Sequence, residues 1–185
     1  VVGCRDPNPH VSGGGMEKLL AAGVEVDAGV LEGEARALIA PWTKCVTTGL
    51  PFVAIKLAMS MDGRIASRTG ESKWVSGADS RQRVQLLRSQ VDAVAVGIGT
   101  ALADDPRLTV RDIPGVSPVR VVFDTKLRLP LRSRLVETAT EVPTWVVCGP
   151  DAERPLEEAL TTRGVEVLRA PRSAEGRLDA TAALR

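Results

Sequence analysis

The chain has 185 residues, 44% apolar and 25% charged, with a formal net charge of +1. It is long enough to bury a real core in one or two modest domains, and its composition is that of a globular protein rather than a disordered one. With no Tyr and two Phe it lacks both the basic excess and the stacking platform of a nucleic-acid binder, and no apolar run approaches the roughly 18 residues of a membrane span.

In chain order, Val1-Val2-Gly3-Cys4 reads as a strand already under way. Asp6-Pro7-Asn8-Pro9 and Ser12-Gly13-Gly14-Gly15 are turn signals. A short helix follows, with Met16, Leu19 and Leu20 on one face and Gly23 just past its end. Val24-Glu25-Val26 alternates as a short strand, and Glu32 to Trp42 reads as a second helix broken at Pro41. This α/β piece is too short to close a core alone. Thr43 to Pro51 is polar, and residues 44–50 are read as an inter-domain linker. From Phe52 the pattern becomes strand-like. Val53, Ile55, Leu57 and Met59 suit a buried face, and Ala54, Lys56, Ala58 and Ser60 form a face against which a ligand can lie. Asp62-Gly63 then turns the chain.

The spacing predicts a helix over Asp79 to Gln90, N-capped by Ser76 or Asp79, with Val84, Leu87 and Val91 as its buried stripe and Arg88 at the stripe's border. Further strands are expected at Ala93–Val96, Val119–Phe123, Thr144–Val147 and Val165–Leu168, with a helix over Leu156–Arg163 before Gly164. Strands alternating with helices imply a mostly parallel sheet covered on both faces. The closing Leu178 to Arg185 reads as the first turns of a helix, so both ends look cut. Cys4, Cys45 and Cys148 are odd in number and far apart, which fits reduced, buried thiols in a cytoplasmic protein rather than a disulfide framework.

Candidate chemistry concentrates between Lys56 and Arg111. Gly97-Ile98-Gly99-Thr100 follows a strand as a dinucleotide turn would, but Leu102 stands where the third glycine of that fingerprint belongs. A plain turn and a close approach to a cofactor both remain open there. Asp104 and Asp105 before Pro106 are either acid–base carboxylates or a solvated turn. Arg88 and Arg111 either lie on the surface or clamp a phosphate, because guanidinium groups bind oxyanions bidentately. Trp74, in the polar Gly70-Glu71-Ser72-Lys73-Trp74 loop, either fills a core or packs on a planar ring. His10 is the only histidine. It has no neighbours at metal-ligand spacing and no partners for a nucleophile triad, so no metal site is assigned.

These blocks, in register, carry a resemblance: Lys56-Leu57 with Ser60-Met61-Asp62-Gly63-Arg64, then Gly70 to Trp74, Gln85-Leu86-Leu87-Arg88, and Thr100-Ala101-Leu102-Ala103-Asp104-Asp105-Pro106 with Leu108-Thr109-Val110-Arg111. The chain resembles the bifunctional riboflavin-biosynthesis proteins, in which a pyrimidine deaminase is fused to a 5-amino-6-(5-phosphoribosylamino)uracil reductase. The resemblance implies residues 1–43 as the end of a cytidine-deaminase-like domain, 44–50 as the linker, and 51–185 as the first part of a dihydrofolate-reductase-like domain. It implies NADPH as cofactor, contacted by Ala58, Trp74, Thr100, Asp104 and Thr125. It implies a phosphoribosyl-pyrimidine substrate contacted by Ser72, Arg88, Leu108 and Arg111, with Asp6 and Asn8 as substrate contacts in the deaminase part. Lys56 is the implied catalytic lysine, assisted by Asp104. The zinc of the parent deaminase has no ligands in this sequence, because the His-x-Glu motif and the paired cysteines are absent, so this piece alone should not deaminate. The late acidic substrate residue and the Gly-Gly phosphate loop of the family are also absent, which should weaken diphosphate binding. Two other readings are a reductase-only homologue and a non-catalytic module binding a nucleotide or phosphosugar. A homo-oligomer is left open. No nucleic-acid or membrane partner is expected.

Overall fold

The computed structural model describes residues 1–11 and 14–185. Ser12 and Gly13, part of the expected glycine-rich turn, lie outside the described residues. The chain divides into two compact units, one of Val1–Lys56 with Leu184–Arg185 and one of Leu57–Ala183.

The first unit carries α1 (Gly14–Ala21), α2 (Glu32–Leu38) and α3 (Ala40–Thr48). Gly23 follows α1 at φ 75°, the left-handed conformation that glycine adopts without cost. The helix expected over Glu32–Trp42 is two helices, and the break falls at Ile39 rather than at Pro41. Proline has no N–H to give to Ala37, so a new helix has to begin just upstream, with Pro41 in its first turn. The segment expected as linker is helical through Thr48 and stops at Gly49, φ 68°. The strands expected at Val1–Cys4 and Val24–Val26 do not form. Only an isolated bridge joins Val2 to Ala28, with Val2 N–H donating to the Asp27 carbonyl at 2.8 Å. None of the three helices contains a buried residue.

Phe52 to Ser60, expected as a strand, belongs to no sheet. Of its expected buried face, Val53 is 53%, Ile55 83% and Leu57 66% exposed. Alternation shows only that a segment suits a half-buried strand. The ladder needs a neighbouring strand to take its N–H and C=O groups, and among the described residues none pairs with it.

The second unit holds α4 (Ala78–Arg88), β1 (Ala93–Gly97), α5 (Ile98–Asp104), β2 (Val119–Phe123), α6 (Arg134–Glu137), β3 (Thr144–Cys148), α7 (Arg154–Thr161), β4 (Glu166–Arg169) and α8 (Ala180–Ala183). The four strands form one wholly parallel sheet in the order β1-β2-β3-β4, with Val94 opposite Arg120, Val122 opposite Val146 and Val146 opposite Val167. The α/β expectation therefore holds, and the four strands expected after α4 lie within about a residue of their observed places. Beta-branched Val121, Val122, Val146 and Val147 supply the stiff, flat packing a buried parallel sheet requires. One face packs Val122, Val146 and Cys148 with Leu135, Leu160 and Val165. The other packs Val121 and Val147 with Ala170 and, less deeply, Phe123 and Trp145. On that second face the β1 residues Ala93, Ala95 and Gly97 are exposed, so the expected cover of both faces is complete on one only. Each fully buried Val or Leu contributes about 1.5–3 kcal/mol.

Helix α7 begins two residues before its expected start, because Pro155 is at home in a first turn where its missing N–H is not needed. Asp179 caps α8 by accepting from Thr181 N–H and Ala182 N–H at 2.9 and 3.1 Å. Arg120, on β2, is fully buried (0% exposed). Its Nη2 donates to the carbonyls of Val142 (2.7 Å) and Thr138 (3.0 Å) and to Thr144 Oγ1 (2.6 Å), and its Nη1 donates to Thr138 Oγ1 (2.7 Å).

The thiols differ in access: Cys45 is exposed, Cys4 intermediate and Cys148 buried, which corrects the expectation of three buried thiols. Burial pushes the Cys148 thiol above its ordinary value of 9.0. A thiol reagent should modify Cys45 in the native protein, and Cys148 only with denaturant; equal native rates would contradict this packing. The unfolded chain releases the Cys148 proton more readily than the folded one. This group's contribution to stability is therefore lost as the pH rises past about 9 toward its raised value.

Candidate functional site

In parallel α/β sheets, ligands collect beyond the carboxyl ends of the strands. Here β1 ends in Gly97 and passes directly into α5, whose first turn carries Thr100. A methyl group added at Gly97 or Gly99 would meet nothing within 4 Å, so internal packing does not require either glycine and a ligand backbone has room to approach. Thr100 and Asp104 are both exposed and lie one helical turn apart on one side of α5.

Next along the edge, β2 ends in Phe123 and leads to Asp124 and Thr125. Asp124 is fully buried (0% exposed), and its Oδ2 accepts from Leu129 N–H at 2.8 Å. That bond closes the turn carrying Thr125, whose carbonyl accepts from Gly149 N–H at 3.0 Å at the end of β3. Thr125 is thus half-buried and tied to two strand ends. Asp124 escaped the sequence reading; an acid directly after a β-branched run was the available signal.

The second group forms where α4 meets the loop that follows α5. Asp105, Leu108 and Asp112 in that loop take positive φ of 39°, 54° and 66°. Such backbone is costly for residues other than glycine and persists only where neighbours hold it. The neighbours are specific. Arg88 Nη1 donates to the Thr109 carbonyl at 3.2 Å, Ser117 Oγ accepts from Val110 N–H at 3.1 Å, and Gln85 Oε1 accepts from Arg111 N–H at 3.0 Å. At the near end Asp105 accepts from Arg134 N–H at 2.9 Å and pairs with the Arg134 guanidinium at 3.5 Å. Asp105 therefore anchors a helix start rather than serving as a free acid. Leu108 is buried at 5% exposure and fixes the loop from beneath.

Arg88 and Arg111 come together here. Burial first, and then the positive charge of Arg111, push the Arg88 guanidinium below its ordinary value. Among the described residues neither arginine has a carboxylate within ion-pair distance, although seven such pairs form elsewhere. The Arg111 guanidinium thus lies close enough to weaken Arg88's hold on its proton, and among the described residues no acid neutralises either group.

The remaining expected residues are placed differently. Trp74 is 71% exposed, with Arg81 stacked 4.5 Å from its ring centre, and Arg81 also donates to the Ser76 carbonyl at 2.6 Å. A loop aromatic left open this way is not core filling. Ser72 and Ala58 are half-buried and Lys56 is exposed, with no side-chain bond found for any of them among the described residues. The expected buried stripe of α4 is also corrected. Val84 is half-buried, Leu87 and Val91 are 46% and 42% exposed, and the buried residue is Gln85. The N-cap is Gly77 rather than Ser76 or Asp79, with no side-chain cap bond. Asp6 and Asn8 act locally, accepting from Asn8 N–H at 2.9 Å and His10 N–H at 3.0 Å. No group of three His, Cys, Asp or Glu among the described residues can hold a metal ion, so zinc does not fit the residues present and no step is derived through it. Among the described residues, no helix is long and apolar enough to cross a membrane.

The family model of the RibD C-terminal domain matches residues 51–185. The chain belongs to this family. The riboflavin biosynthesis protein RibD of Aquifex aeolicus is 43% identical over 169 residues, covering 91% of this chain and 47% of that protein. Among solved structures, the deaminase/reductase of Thermotoga maritima superimposes with a TM-score of 0.73 at 37% identity, over 92% of this chain and 53% of its own. Acinetobacter baumannii RibD gives 0.75 at 36%, over 100% and 49%. The chain therefore spans about half the length of the RibD proteins it matches. The matched residues include the whole sheet, Thr100 and Thr125 at its strand ends, and Arg88 and Arg111.

Proposed function

We propose that this chain forms the reductase part of a riboflavin-biosynthesis enzyme that reduces the ribosyl group of 5-amino-6-(5-phosphoribosylamino)uracil to a ribityl chain, in the cytoplasm. The observation that carries the reading is the unneutralised Arg88–Arg111 pair, which suits the substrate's 5′-phosphate. The domain boundaries, 1–43, 44–50 and 51–185, belong to the same proposal, as does a deaminase in the parent protein.

The residues present fit NADPH: open backbone at Gly97 and Gly99, Thr100 and Thr125 at adjoining strand ends, and an exposed Trp74 as a wall for a planar ring. NADPH, when bound, supplies a hydride. Hydride delivery to C1′ of the sugar would open the C1′–O4′ bond and leave O4′ in need of a proton. Lys56 is the residue we assign to hold that proton, with Asp104 assisting, and Ala58 leaves space beside it. Ser72, Leu108 and the two arginines hold the substrate.

The test uses the full-length protein. NADPH should be oxidised with the phosphoribosylamino-uracil and not with a phosphate-free analogue. Lys56→Ala should slow single-turnover reduction by about 100-fold, within the range typical of a positioned acid, while NADPH affinity changes little. Absence of substrate-dependent oxidation in the wild type would overturn the function. Unchanged single turnover in the variant would remove Lys56 from it.

A further inference from the structure

We infer that Gln85 is a positioning residue of the oxyanion seat: from inside α4, its amide oxygen fixes the backbone of Arg111 so that the Arg111 guanidinium stays beside Arg88. The inference rests on the phosphate reading of that pair and goes beyond it, because Gln85 itself touches no substrate.

The burial pattern of α4 is the first observation. Gln85 is 8% exposed while Leu86 and Leu87, its apolar neighbours, are roughly half exposed. A helix that buries an amide and leaves leucines in water is not ordered by core packing alone, and a buried amide needs a partner. The second observation is that partner. Gln85 Oε1 accepts from Arg111 N–H at 3.0 Å across 26 positions of sequence. One turn further along the same side of α4, Arg88 donates to the Thr109 carbonyl at 3.2 Å. One helix face thus grips the loop at two places two residues apart, between the left-handed Leu108 and Asp112.

The grip has a purpose for anion binding. Arg111 is exposed, and two guanidiniums with no acid between them repel. Without a fixed backbone Arg111 would swing into solvent, and bringing it back would cost affinity. The amide is also the neutral choice. A carboxylate in the same position would accept the same N–H bond but would place a negative charge beside both arginines, filling electrostatically the place intended for the ligand. The ligand class this predicts is a sugar phosphate monoester.

The experiment is calorimetric titration of the full-length protein with ribose 5-phosphate, and with ribose as control, for the wild type, Gln85→Met, Gln85→Glu and Arg111→Ala. Methionine keeps the length of glutamine and removes the acceptor. Gln85→Met should weaken ribose 5-phosphate by about tenfold, and adding it to Arg111→Ala should change little more, since both act through one group. Gln85→Glu should weaken binding at least as much at an unchanged melting temperature, and should recover toward the wild type as the pH falls and the new carboxyl is protonated. A purely structural glutamine would give no such recovery. Binding within twofold of wild type in both Gln85 variants, with Arg111→Ala impaired, overturns the inference and leaves the seat standing. Wild-type binding in Arg111→Ala, or no preference for ribose 5-phosphate over ribose in the wild type, overturns the seat and the inference together. If Gln85→Met lowers the melting temperature sharply, the Gln85→Glu comparison decides.

Discussion

Arg111→Ala is expected to raise KM for the phosphorylated substrate far more than for a dephosphorylated analogue, and Arg88→Ala to do the same. Each guanidinium is a charged donor with no acid to occupy it among the described residues. Its loss should therefore remove about 2–4 kcal/mol of binding to a dianion, roughly 30- to 1000-fold in kcat/KM. The two variants should differ in one respect. Arg111 is held to α4 through its backbone N–H, so its side chain can be deleted without disturbing the Gln85 bond. Arg88 spends one Nη on the Thr109 carbonyl, so its deletion also loosens the loop. Arg88→Lys should therefore restore part of the charge without restoring the function, because a single ammonium cannot serve both the carbonyl and a phosphate in a fork. Steady-state kinetics with the paired substrates check this. Equal losses with and without the phosphate would reject the clamp.

Arg120→Met is expected to destabilise the fold by about 2–4 kcal/mol, because it breaks a buried network of charge-assisted hydrogen bonds. The guanidinium is fully buried and has no carboxylate within ion-pair distance among the described residues; its two Nη atoms donate instead to the carbonyls of Leu135, Thr138 and Val142 and the hydroxyls of Thr138 and Thr144, while Nε has no partner among the described residues. Methionine fills the space but removes the charged donor from the carbonyls of Leu135, Thr138 and Val142, which keep only neutral bonds from Thr144 Oγ1 and from the Glu141 and Val142 N–H groups. Burial pushes the Arg120 guanidinium below its ordinary value, with Glu141 pulling the other way, yet an arginine stays charged at any accessible pH, so the loss should not depend on pH. Urea unfolding with an unchanged m-value is the measurement. A loss under about 1 kcal/mol would mean that water replaces the guanidinium and that the staple is not structural.

Much of the fold was legible because its signals are local. Val119–Phe123 and Thr144–Cys148 are runs of residues that prefer strands wherever they occur, and Gly164, at φ 84°, ends the passage from α7 to β4 as expected. The errors are non-local. Phe52–Ser60 has the alternation of a strand but no ladder, because a ladder is made by a neighbour. In α4 the helical spacing was right and the buried face wrong, because the face is chosen by what packs against it. Pro41 marked a break correctly in kind and misplaced it by two residues, since the missing N–H acts one turn upstream.

At the site, the residue types were visible and their company was not. The sequence by itself determined that arginines, aspartates and glycines follow strands in one α/β domain, and by resemblance that they belong to a reductase. Only the tertiary structure decided that Arg88 and Arg111 are neighbours with no acid at ion-pair distance among the described residues, that Asp105 is occupied by Arg134, and that Gln85 rather than a leucine is buried. The physical reason is that charge neutrality and burial depend on residues 20 to 30 positions away along the chain, which no local pattern encodes.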